Sequence, residues 1–216
     1  MASFMSRTPL FLVVFLATAA AFATAADAIP VSRNFHIVQH RLDLSEEIGK
    51  FCQNTTNSTL CSKILQPHFE SEHFDQFKAL DIILDATNDQ AKLTLAAIQT
   101  LNANKDTPKT TKDSLKICKG QYKNILDSVK ETKATLASKN VIDAKFKASA
   151  IISFYESCKD SFDGAPVPFA EQAEPVFDLS GNCLDIITAI QSTLPAPPLV
   201  MNSPPSQYSN VIGPIS

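Results

Sequence analysis

Between residues 74 and 101 the positions Phe77, Leu80, Leu84, Thr87, Ala91, Leu95, Ile98 and Leu101 recur at steps of three and four. That spacing places them on one stripe of a single helix. A polar break at 102–108 precedes a second stripe, Leu115, Cys118, Tyr122, Ile125, Val129, Thr132 and Leu136. A third reads Ala144, Ala148, Ile151, Tyr155, Cys158 and Phe162, and a fourth Phe169, Ala173, Val176, Cys183, Ile186, Ile190 and Leu194. Four amphipathic helices joined by short connections must bury their stripes against one another, which predicts an up-down four-helix bundle. Pro175 kinks the fourth helix unless that helix begins near Glu174, where a proline fits the first turn.

The flanks carry no such stripe. Residues 43–65 predict two short helical pieces forming a hairpin ahead of the bundle, and residues 29–42 read as an irregular N-terminal extension. At the other end Pro195, Pro197, Pro198, Pro204 and Pro205 stand among Ser, Asn and Gln. Such a segment buries little and cannot continue a helix, so 195–216 is expected to be a disordered tail. The helical domain is thus placed at 43–194.

The start of the chain sets the compartment. Arg7 precedes an apolar run at 10–22, followed by small residues. This is the pattern of a secretory signal peptide spanning 1–28, cleaved after Ala25 or Ala28. The run is too short to span a bilayer comfortably, and no second run reaches about 18 residues, so no membrane association is expected after cleavage. Cleavage after Ala25 removes Arg7 and makes the full chain's net charge of −3 one unit more negative. An acidic chain with evenly spread lysines is a poor partner for nucleic acid. Five glycines, no tryptophan and a 44% apolar fraction fit one helical domain with a real core.

Five cysteines in a secreted chain imply two disulfides and one thiol left over. Cys52 and Cys61 flank a turn and can clamp the hairpin at its base. Cys118 and Cys158 lie on the second and third stripes, each about 20 residues from the turn joining those helices, and can meet at one level. Cys183 remains as a buried free thiol on the inner face of the fourth helix. Asn54-Thr55-Thr56 and Asn57-Ser58-Thr59 are glycosylation acceptors on the turn between the first two cysteines.

Candidate chemistry is otherwise thin. Glu70 and His73 have the E-x-x-H spacing of di-iron bundles, but no second copy exists, and His36 and His40 lack a supporting carboxylate. No metal site and no cofactor are expected. There is no nucleophile elbow and no phosphate-cradling glycine loop. No carboxylate falls on a core stripe, so solvated faces account for them and an enzyme is not expected.

Taken together, Cys52 with eight residues to Cys61, Cys118 followed by Tyr122, and the run Ala148-Ser149-Ala150-Ile151-Ile152-Ser153 before Cys158 resemble the plant invertase and pectin methylesterase inhibitor family. The likeness extends over about 44–194 and includes "LKICKGQYKNIL" at 115–126. It implies an all-α bundle with a clamped hairpin, crosslinked through Cys118 and Cys158, without catalytic activity. It also implies a partner enzyme in the plant cell wall (apoplast) or, second, the vacuole. Invertase inhibitors of the family carry Pro-Lys-Phe before the third bundle helix, where this chain has Val141-Ile142-Asp143. Pectin methylesterase inhibitors have a threonine where it has Phe146. The balance goes to pectin methylesterase as target, with acid invertase as the alternative. An apolar-ligand carrier and a storage or signalling protein are the readings from other classes.

A binding face can be named from helical geometry. With Ala144, Ala148, Ile151 and Tyr155 defining the core direction, Phe146 points about 200° away, and Ile142 lies one turn earlier on the same outer face. Lys145 and Lys147 flank them as candidates for steering towards an acidic cleft. The competing expectation is that the hairpin or the N-terminal extension covers both apolar groups.

Overall fold

The computed structural model describes residues 31–69 and 73–195. These form six α-helices and no strand: α1 (Val31–Cys52), α2 (Ser58–Leu65), α3 (Gln76–Ala103), α4 (Lys109–Ala137), α5 (Val141–Asp160) and α6 (Ala170–Thr193), with a 3-10 turn, Gln66–His68, after α2. Residues 1–28, expected to be a leader, and all of the Pro-rich tail beyond Pro195 lie outside the described residues.

Helices α3 to α6 pack in a closed ring, α3 on α4 and α6, α5 on α4 and α6. Side-chain bonds fix their directions. Ser114 donates to the Ser161 carbonyl at 2.6 Å, Gln121 to Ser157 at 3.0 Å, and Lys147 pairs with Glu131 at 2.8 Å. As the α4 number rises the α5 number falls, so the two run antiparallel. Lys133 of α4 bridges Asp81 and Asp85 of α3, and Thr94 of α3 meets the Gln172 carbonyl of α6, which make those pairs antiparallel as well.

The stripes become the core. Leu80, Ile83, Leu84 and Ile98 of α3, Leu115, Tyr122 and Ile125 of α4, Ile151 of α5 and Val176 and Ile187 of α6 are fully buried. Phe77, placed on the first stripe, is instead 40% exposed in the opening turn of α3, and Leu194, placed on the fourth, is 44% exposed just past the end of α6. Asp75 caps α3, its carboxylate accepting from the Lys78 amide at 2.7 Å. Between α4 and α5, Lys139 takes a left-handed conformation (φ 57°) and Asn140 caps α5 by accepting from the Asp143 amide at 3.1 Å. Cys118 and Cys158 are bonded across these helices with their Cα atoms 4.5 Å apart. Closing a loop of that size restricts the unfolded chain and stabilises by roughly 3 to 4 kcal/mol in the entropic account.

Two expectations are corrected. Residues 31–42 of the expected extension are not irregular, because α1 begins at Val31 and continues unbroken to Cys52. Val38 and Leu42 are exposed, and among the described side chains of α1 the buried apolar ones are Leu44, Ile48 and Cys52, where α1 meets α2. The alternative start near Glu174 is likewise excluded, since α6 begins at Ala170 and Pro175 sits inside it, five residues past its first. A proline there removes one amide and crowds the preceding turn. The neighbouring Gln172 carbonyl takes two side-chain donors from α3, Gln90 at 2.9 Å and Thr94 at 2.6 Å. Those bonds tie the perturbed turn to the bundle.

Candidate functional site: two outward faces of the bundle

The hairpin turn and α6 build the first of two surfaces. Cys52 is bonded to Cys61 with Cα atoms 5.7 Å apart, which holds the ends of α1 and α2 together and presents the turn between them. Thr56 donates its backbone amide (2.7 Å) and its hydroxyl (2.8 Å) to one carboxylate oxygen of Asp185. The Asn57 amide donates to the Asn182 side-chain oxygen at 2.7 Å, and the Asn182 side-chain nitrogen returns a bond to the Asn57 carbonyl at 3.0 Å. The Asn57 side chain donates to Asp178 at 2.7 Å and caps α2 by accepting from the Leu60 amide at 2.9 Å. A side chain at Gly181 would place its Cβ 2.5 Å from the Thr56 hydroxyl oxygen, closer than real Cβ atoms approach. Glycine therefore lets the turn rest on the α6 backbone.

This seat was not foreseen. Asp178 and Asp185 point away from the core stripe and read as solvated, yet the turn half-covers both, and Asn182 is fully buried. The available signal was Gly181-Asn182, two poor helix formers inside an otherwise strong helix, which marks a close approach.

The second surface is the outward face of α5. Ile142 is 49% exposed and Phe146 70%, the largest exposure of any large apolar residue described. Among the described residues nothing covers them, since the hairpin packs through α2 on α3 and α6. Lys145 flanks them half-buried. Lys147 is committed elsewhere, to Glu131 of α4, and this hydrogen-bonded ion pair raises its pKa.

The remaining candidates behave as follows. Cys183 is buried and free; burial pushes its thiol up to about 12, with the Thr87 hydroxyl 3.8 Å away, so it is a poor nucleophile. His73 stands before α3 begins and Glu70 lies outside the described residues; His36 and His40 sit on α1, one turn apart. Among the described residues no three histidine, cysteine or carboxylate side chains gather as metal ligands, and no helix is long and apolar enough to cross a membrane. A cleft of about 710 Å³ opens at one end of the bundle over Tyr155, Val167 and Phe169, with Lys159, Asp160, Asp163 and Glu174 around it. Its charged rim suits an apolar cargo poorly.

The bundle, the clamped hairpin and the spacing of its cysteines can be set beside known proteins. The sequence profile of the plant invertase/pectin methylesterase inhibitor family matches residues 46–186. The chain belongs to this family. A relative from Actinidia deliciosa, named "Pectinesterase inhibitor", is 28% identical over 148 residues, covering 68% of this chain and 79% of its own. Two solved structures of Arabidopsis pectin methylesterase inhibitors share the fold. One, a mutant form, is 21% identical with a TM-score of 0.58, covering 66% of this chain and 95% of its own. The other is 22% identical with a TM-score of 0.51, covering 70% and 98%.

Proposed function

We propose that the chain is a secreted, non-catalytic inhibitor of pectin methylesterase acting in the cell-wall space, its scaffold an up-down four-helix bundle with the α1–α2 hairpin seated on α6. It binds its target through the outward face of α5 around Ile142 and Phe146. The observation that carries this is the 70% exposure of Phe146 with Ile142 one helical turn before it. An aromatic and an aliphatic group side by side in water gain most by entering a partner's pocket, and such residues dominate the energetics of interfaces. Lys145 adds a positive charge at the edge of the patch for approach to an acidic surface. Membership of the inhibitor family supports the class of function, and the Actinidia relative's name supports the target.

Titrating the purified mature protein into a pectin methylesterase and, separately, into an acid invertase tests the assignment. Loss of esterase activity that saturates near equimolar inhibitor, with invertase unaffected, is the expected result. Loss of invertase activity alone would reassign the target, and no effect on either enzyme would remove the inhibitor function.

A further inference from the structure

We propose that the secreted protein carries its glycan on Asn54 and none on Asn57, because the Asn57 side chain is the pin that fastens the hairpin turn to α6. The two acceptor sequences are three residues apart and chemically equivalent on paper. The fold makes them different. Asn54 is exposed. Asn57 is half-buried, with its side-chain oxygen on the Leu60 amide, its side-chain nitrogen on Asp178 and its backbone amide and carbonyl both on Asn182.

In the modification, the asparagine Nδ2 attacks C1 of an oligosaccharide carried on a lipid-linked diphosphate. The C1–O bond breaks, its electron pair leaves with the diphosphate, and Nδ2 gives up one proton to the transferase as the N–C1 bond forms. At Asn54 the product projects into solvent. At Asn57 the new sugar is attached to the atom that reaches Asp178 at 2.7 Å, against a helix whose Gly181 leaves no room even for a methyl group beside Thr56. The seat itself cannot shield Asn57 during transfer, since Asp178 lies 121 residues further along the chain. A sugar added early to Asn57 therefore leaves a hairpin turn that cannot dock, and chains carrying it are cleared as incompletely folded protein before secretion, so that the secreted pool is bare at Asn57.

The full chain is secreted from a glycosylating plant host, and its glycans are removed by an asparagine-glycan amidase in heavy-oxygen water, which converts each occupied asparagine to labelled aspartate. Peptide mapping is expected to find the label on Asn54 alone. The variant Asn54→Gln, which leaves the second acceptor intact and uncrowded, is expected to be secreted bare with the wild-type melting temperature. Where a glycoform on Asn57 does arise in that variant, it is expected to melt several degrees below the bare form. A label on Asn57 in the wild type, no label on either residue, or an Asn57 glycoform that melts with the bare protein would each overturn the proposal.

Discussion

The outer faces of α5 and α6 reverse the usual relation between polarity and burial. On α6 the strip Asp178, Gly181, Asn182 and Asp185 is polar and is covered, by a turn of the same chain whose donors it satisfies. On α5 the strip Ile142 and Phe146 is apolar and is bare. A polar strip binds a segment that brings matching hydrogen bonds, at the cost of desolvating groups that must then all be paired. An apolar strip demands no such matching and is open to a surface shaped for it. The first face is accordingly internal architecture, and the second is the face proposed above for the partner.

Perturbing the covered face should change stability. Asn182→Leu keeps the size of the side chain but removes both of its bonds to Asn57, leaving the half-buried Asn57 backbone amide unpaired. Urea unfolding is expected to show a loss of about 2 to 3 kcal/mol. A loss below about 0.5 kcal/mol would mean that the turn does not rest on α6 in solution. Gly181→Ala is the finer probe, because its sign is diagnostic. In an unencumbered helix the change stabilises by up to about 1 kcal/mol, whereas a methyl group forced against Thr56 should cost about 1 to 2 kcal/mol through overpacking. Destabilisation upholds the seat, and stabilisation shows that the turn yields.

The smallest effect belongs to the edge of the bare face. Lys147 and Glu131 form an ion pair between well-exposed side chains, so Lys147→Ala should alter stability by less than about 0.5 kcal/mol. Its effect on inhibition should be equally slight, since that lysine is held towards α4 rather than offered to a partner. A strong, salt-dependent slowing of target association would show that Lys147 leaves Glu131 to steer the encounter.

The difference between the two faces also explains what the sequence made legible. Helices α3 to α6 could be read because their stripes record burial at a helical period: Leu80, Leu84, Ala91 and Ile98, for example, are all buried where the spacing placed them. The outward direction of Phe146 followed from the same period. The half of α1 before Leu44 was missed because its sequence carries no helical stripe, and Val38 and Leu42 there are exposed. The seat on α6 was missed for the opposite reason. Its contacts pair residues more than 120 positions apart through hydrogen bonds, and polar pairing over that distance leaves no periodic trace, only a glycine and an asparagine out of place in a helix.

The claim that α5 carries the target-binding face is tested most directly by Phe146→Ala, measuring the inhibition constant against pectin methylesterase together with the melting temperature. Since Phe146 is 70% exposed, the melting temperature should barely move, while inhibition should weaken about tenfold or more, a loss of at least about 1.4 kcal/mol of binding. An unchanged inhibition constant at unchanged stability would contradict the account and remove this face as the binding site.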